Sequence, residues 1–188
     1  MALTLALAGR RIDAADSEKP RFPLANASIV RDRLREFFIK KEVGTLVCSA
    51  ACGADLVALE AAEHLRLRRR IVLPFAAERF RATSVTDRPG DWGPIYDRII
   101  EAVQGVGDLI VLEHSGEESA AYQGANRRIL EEVLLCERAG PVVRVTPADA
   151  ALAVIVWEGA SRGSDDATQQ FADLAKQGGL AVEEILTI

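Results

Sequence analysis

Short stretches that are apolar from end to end constrain the fold of this chain more than any other feature. They are LTLALAG (Leu3 to Gly9), TLVCSA (Thr45 to Ala50), RIVLPF (Arg70 to Phe75), DLIVLE (Asp108 to Glu113) and LAVIVWEG (Leu152 to Gly159). A strand with one wet face alternates polar and apolar residues, whereas a strand covered on both faces has no reason to alternate. Strands of this kind need helices above and below them. The intervening segments have the period to supply these: ASIVRDRLREFFIKK puts Ile29, Leu34, Phe37 and Phe38 on one stripe, and GADLVALEAAEHLRL repeats Leu56, Leu59, Ala62 and Leu65 at three-residue steps. WGPIYDRIIEAV, AYQGANRRILEEVLLCERAG and DDATQQFADLAKQGG follow the same rule, and the last two end at a glycine suited to a helix C-cap. The final LAVEEILTI alternates more and suits an edge strand, while PVVRV (Pro141 to Val145) reads as an extended connection.

Strands alternating with helices along the whole length predict a Rossmann-like three-layer α/β/α sandwich around a mainly parallel sheet. At 188 residues the chain suits a single domain, 1–188, able to bury a sizeable core. A net charge of −5 supplies no basic field for a polyanion, so nucleic acid is not an expected partner. The three cysteines, Cys48, Cys52 and Cys136, are odd in number and fit no zinc spacing, which argues for a reducing cytoplasm and against a metal site. The opening MALTLALAG lacks a basic region before its apolar run and reads as a strand rather than a signal or a membrane segment. In sheets of this kind ligands sit outside the carboxyl ends of the strands, so the residues that matter should follow strands.

Five stretches do so. Gly9-Arg10-Arg11 combines a turn glycine with two guanidinium groups able to grip phosphate, or is simply a solvated basic turn. In SAACGADL the small Ser49, Ala50 and Ala51 let a ligand near the backbone, Gly53 permits a crowded conformation, and the helix start offers N–H groups to an anion. Asp55 there either caps the helix or hydrogen-bonds a ribose hydroxyl; tight packing alone explains the small residues equally well, and Cys52 reads as a packing residue. Third, LPFAAERFRATSV places Pro74, Phe75, Phe80 and Ser84 where rings could stack on a base, or merely anchor a loop; TDRPGDWG after it reads as a surface turn. Fourth, Glu113 and His114 at the fourth strand exit invite an acid/base reading, although sequence neighbours seldom point together, and Tyr122, Asn126 and Arg127 on the next helix are within reach of a ligand. Last, WEGASRGSDDATQQF offers Gly159 and Gly163 in a loop, Ser164 or Asp165 as a cap, and Thr168 in the first helical turn; a second phosphate would sit there, but Asp165 and Asp166 oppose an anion.

In this order the stretches resemble the SLOG-type Rossmann proteins, the group that includes the LOG phosphoribohydrolases and the DNA-processing protein DprA, and most of all its bacterial members of unassigned role. The residues that carry the likeness are Gly9-Arg10-Arg11 for a GxR turn, SAACGADLVALEAA for a GAxGAD loop, LPFAAERFRATSV for an LPF…F…SV segment, and WEGASRGSDDAT for a W-D-G…G-D-T stretch. The resemblance implies a nucleotide or nucleotide-derived ligand, with the Gly9 and Gly53 loops as its binding loops. It also implies a departure: the LOG branch cleaves the N-glycosidic bond of nucleoside monophosphates with a PGGxGTxxE motif, and here GSDDATQQF, with Gln169 and Gln170, stands in that place.

The expectation is therefore a binding domain, sensor or carrier, holding a nucleotide derivative with its phosphate over the Gly53 helix start and Arg10 or Arg11, and its base near Phe75 or Phe80. No other cofactor is expected. An enzyme reading would make the protein a nucleoside 5′-monophosphate N-glycosidase with Glu113 or Asp55 as the carboxylate. A third reading gives the domain a vestigial pocket and a role in assembly, as a homodimer joined through an apolar helix such as Ile129 to Cys136.

Overall fold

The computed structural model describes residues 2–113, 117–138 and 151–188, the side chains of 136–138 excepted. In chain order the elements are β1 (Leu3–Gly9), α1 (Ala27–Lys40), β2 (Val43–Cys48), α2 (Ala54–His64), β3 (Arg68–Leu73), α3 (Ala77–Ser84), α4 (Trp92–Gly105), β4 (Leu109–Val111), α5 (Glu118–Arg138), β5 (Ala151–Trp157), α6 (Ala167–Gln177) and β6 (Ala181–Leu186). The strands form one six-stranded sheet in the order β4-β3-β2-β1-β5-β6, every neighbouring pair parallel. The fold is Rossmann-like α/β. Helices α1, α2 and α4 pack on one face and α5 and α6 on the other. The strand alternation feeds both layers: Leu5 and Leu7 of β1 enter the core under α1 and α2, while Ala6 enters the core under α5 and α6.

Three strands, β2, β3 and β5, begin earlier than their apolar runs. In β3 the ladder starts at Arg68, and Arg68 and Arg70 are tolerated because Asp108 accepts from them at 2.7 Å and 3.0 Å at the foot of the sheet. The apolar tails of the runs, Ser49-Ala50 and Pro74-Phe75, consequently lie beyond the strands in the rim loops. The buried stripe of α1 is Val30, Leu34 and Phe38, four residues apart, and Ile29, one residue and about 100° away from Val30, is 51% exposed. Helix α2 has no single stripe, since Ala54 to Leu59 are all buried between the sheet, α1 and α4. Pro141 to Val145 and Gly140 lie outside the described residues. Gly178 caps α6, and the left-handed residue that turns the chain into β6 is its neighbour Gly179, at φ +81°.

The chain runs outward from β1 through β2 and β3 to β4, then returns to the other side of β1 as β5. The order of connection therefore reverses between β1 and β5, and at such a point the loops on the carboxyl rim splay apart and leave a crevice. Among the described residues no helix is long and apolar enough to cross a membrane.

Candidate functional site

A cavity of about 540 Å³ opens at this carboxyl rim, a size that suits a small organic ligand. Its walls come from the chain after β1 (Gly9 to Ala14), the β2 exit with the start of α2 (Ser49, Ala51, Asp55), α3 (Phe80, Thr83, Ser84), α5 (Tyr122, Ala125, Asn126) and the start of α6 (Ala167, Thr168).

The aromatic wall is built from inside outward. Phe75 is buried, with its ring centroid 5.9 Å from both Phe80 and Tyr122, and the Arg79 guanidinium lies 4.3 Å from its ring. Phe75 does not line the cavity, so the expectation that a base lies near it is corrected; Phe80, itself only 1% exposed, and the half-buried Tyr122 line it instead. Phe80 is in turn stacked on Tyr96, and the Tyr122 hydroxyl lies 2.8 Å from Ser84 Oγ, which fixes both rings.

The start of α2 differs from expectation. Gly53 has φ +106°, and a Cβ there would sit 2.6 Å from the Arg10 carbonyl oxygen and 2.7 Å from the Ile12 nitrogen. Glycine is required because residues 10–12 cross directly over the helix end. Ala54 N–H donates to the Arg10 carbonyl at 2.9 Å, Ile12 N–H to the Cys52 carbonyl at 3.2 Å, and Cys52 N–H to the Ser84 carbonyl at 3.0 Å. Backbone thus occupies the place assigned to a phosphate, and Gly53 and the fully buried Ala50 do not line the cavity. Asp55 does. Its carboxylate reaches back to accept from Ala51 N–H at 3.1 Å, and burial pushes the group up to about 7 against the downward pull of that hydrogen bond and of Arg11. At neutral pH such a carboxyl both donates and accepts.

The two arginines of the first turn part company. Arg10 is enclosed: its Nη1 and Nη2 donate to Asp166 at 2.5 Å and 2.8 Å, its Nε to Glu158 at 2.5 Å, and Nη2 also to the Ala160 carbonyl at 2.9 Å. Its fork is used up between the ends of β1 and β5, so its expected grip on phosphate is corrected to a structural ion cluster. Asp166 is fully buried; burial alone would raise its carboxyl, but Arg10 and the N–H groups of Arg162 and Gln169 outweigh that and hold it well below the usual carboxylate range. Asp166 also accepts from Thr168 N–H at 3.0 Å and Gln169 N–H at 3.3 Å, so it caps α6 in place of Ser164 or Asp165.

Arg11 stays at the cavity. It pairs with Asp87 and approaches Cys52 Sγ at 3.7 Å; burial lowers its affinity for its proton, and these neighbours more than restore it. Three further arginines line the cavity: Arg21, 3.5 Å from Glu158, Arg162, 3.7 Å from Asp166, and Arg88, 3.7 Å from Asp87. Sequence reasoning missed these three. Each sits in a polar loop, and only the β1–β5 reversal, which turns those loops over one opening, distinguishes them from solvated charge.

Of the expected residues, Gly9, Arg10, Arg11, Ser49, Asp55, Phe80, Ser84, Asn126 and Thr168 come to the one cavity. Pro74 and Phe75 are buried outside it, and Gly159 faces β6, with Leu186 3.4 Å from where its Cβ would be. Glu113 is exposed beyond the outermost strand, with β3 and β2 between it and β1, and does not line the cavity. His114 and Ser115 lie outside the described residues.

No family model and no curated protein matches the chain. Among solved structures it is similar to the DNA processing protein A (DprA) from Streptococcus pneumoniae, at 16% identity and a TM-score of 0.43, over 97% of this chain and 58% of that one. The chain thus spans little more than half the length of that protein.

Proposed function

We propose that this protein binds a nucleotide or a nucleotide-derived small molecule in the rim cavity and acts as a sensor or carrier domain of SLOG type. The observation that carries the reading is the mixed lining of one cavity at the strand-order reversal: guanidinium groups of Arg11, Arg21, Arg88 and Arg162 for anionic oxygens, the buried Asp55 carboxyl and the Ser49 hydroxyl for a sugar, and the Tyr122 ring, backed by Phe75, for an apolar or aromatic part. With a net charge of −5 the whole chain offers no basic field for a polymer, while the cavity lining sets these arginines beside Asp13, Asp55 and Glu118. Mass spectrometry of material released from the purified protein, together with a thermal-shift panel of AMP, ADP-ribose, NAD and cyclic nucleotides, tests it. A retained nucleotide or a raised melting temperature is the expected result; no bound species and no shift across the panel would discard the reading.

A second reading, hydrolysis of an N-glycosidic bond in a nucleoside 5′-monophosphate, is favoured by one observation. Asp55 presents a carboxyl pushed up to about 7 inside the cavity, the range in which a group gives and takes protons at neutral pH. Glu113, outside the cavity, has no part in this version. Free base released from AMP by the protein and not by Asp55→Asn would support it, and no turnover at high protein concentration would leave binding alone.

A further inference from the structure

We infer that Arg88 and Arg11, held side by side by Asp87, form the subsite for a phosphate group of the ligand, and that Arg10 takes no part in it. Three observations on the cavity wall carry this. Arg11 and Arg88 both line the cavity, and both face the same carboxylate, Asp87, which does not line it. Asp87 therefore neutralises part of the repulsion between two guanidinium groups from behind and leaves their other edges to the cavity. Second, the Nε of Arg11 is buried and has no hydrogen-bond partner, whereas the Nε of Arg88, which also makes no hydrogen bond, is turned toward Asp87 at 3.7 Å. A buried donor without an acceptor carries a desolvation cost that a bound anion removes. Third, the two guanidinium groups with one carboxylate have an excess positive charge, and paired planar forks match the several oxygens of a phosphate better than a single point charge does.

The contrast with the neighbouring cluster strengthens the assignment. Arg70 Nε also lacks an ideally aligned bond, but it stands 2.7 Å from Glu132 at the other end of the sheet and faces no cavity. Arg10 is saturated by Asp166 and Glu158. Among the described residues Arg11 joins an unused buried donor to the cavity wall, and Arg88 stands in the same wall on the same carboxylate.

The inference deepens the nucleotide reading of the same cavity, but it concerns the anion alone and can fail separately. The test is calorimetric titration of the purified, ligand-stripped protein with inorganic pyrophosphate and with AMP, for the wild type, Arg88→Gln, Arg11→Gln, the double variant carrying both, Asp87→Asn and Arg162→Gln, with melting curves to verify folding. The expected result is that Arg88→Gln and Arg11→Gln each weaken both probes by roughly tenfold or more, that Arg162→Gln weakens pyrophosphate less, and that the loss in the double variant is smaller than the product of the single losses. Asp87→Asn is expected to shift affinity while leaving the stoichiometry at one, since it acts by positioning. Pyrophosphate binding equal in wild type and Arg88→Gln overturns the subsite, as does a wild type that binds no pyrophosphate. AMP binding that survives unchanged in Arg88→Gln overturns the subsite and leaves the nucleotide reading standing; pyrophosphate binding without AMP binding sustains the subsite and removes that reading.

Discussion

Arg10 and Arg11 are adjacent in sequence, leave the same strand and meet opposite fates, and the difference separates architecture from function in this molecule. Arg10 is 4% exposed and faces two carboxylates, one of them wholly buried, so that it locks the end of β1 to the loop after β5. Arg11 is 30% exposed, has one carboxylate partner, shares it with Arg88 and keeps a buried donor unused. A charge that is fully paired fixes where the rim loops stand. A charge that is half paired beside a cavity is available to something else. The usual geometry puts a ligand at the β1–β5 reversal; the cavity opens there, lined from the β1 exit and from Arg162, Ala167 and Thr168, with Arg10 as part of its wall, and extends toward β2, α3 and α5.

The comparison breaks most readily at Arg10. Replacing it by alanine leaves the buried Asp166 with only the looser Arg162, 3.7 Å away, and Glu158 with only Arg21 at 3.5 Å, and the expected loss is about 3–5 kcal/mol, read as a lowered urea midpoint with an unchanged slope. Its pH dependence has a definite sign. Because Asp166 is held below the ordinary carboxylate value, near 3.9, its contribution is complete above about pH 4 and is lost as the pH falls toward the folded value. Asp166→Asn, which keeps an acceptor for the α6 cap, should therefore lose stability at neutral pH and show a shallower acid decline than the wild type.

Asp55 gives the opposite sign and a smaller effect. Its folded value is raised to about 7, so the wild type becomes less stable as the pH rises from about 4 to about 7, after which the cost is constant. Asp55→Asn retains an acceptor for Ala51 N–H and is expected to be more stable than the wild type by roughly 1–3 kcal/mol at pH 8 and equal to it near pH 4. Equal stability at both pH values would show that Asp55 is not a buried acid. The smallest change in stability is expected at Arg11: a half-exposed pair with Asp87 is worth about 0–1 kcal/mol, so Arg11→Ala should melt almost as the wild type does while losing anion binding. A large drop in its melting temperature would place Arg11 with Arg10 as part of the framework.

Much of the fold could be read from the chain, because continuous apolar runs leave few alternatives to strands covered on both faces. Strand limits were less legible: Arg68, two residues before the run that opens at Arg70, does not look like a strand residue until Asp108 is brought against it by the pairing of β3 with β4. For the site, the local grammar of glycine and small residues pointed to the rim where the cavity opens but not to Arg21, Arg88 and Arg162, which line it. Gly53 reads equally well as an opening for phosphate and as a position where another segment crosses, and the crossing segment is set by the path of residues 10–12, which no local pattern encodes. Arg88 was hidden for the same reason, since a turn such as TDRPGDWG looks solvated until its neighbours across the rim are known. Glu113 drew attention as a carboxylate at a strand exit, but the strand order puts its exit at the sheet edge.

The most direct test of the central claim, that the opening beside Arg11 is a receptor for a phosphorylated small molecule, is a crystal structure of the protein grown with AMP. The account predicts the phosphate between the guanidinium groups of Arg11 and Arg88, the sugar within hydrogen-bonding distance of Asp55, and the Arg10–Asp166–Glu158 cluster unchanged. Density for the phosphate on Arg10, or a rim holding only ordered water at saturating AMP, would contradict it.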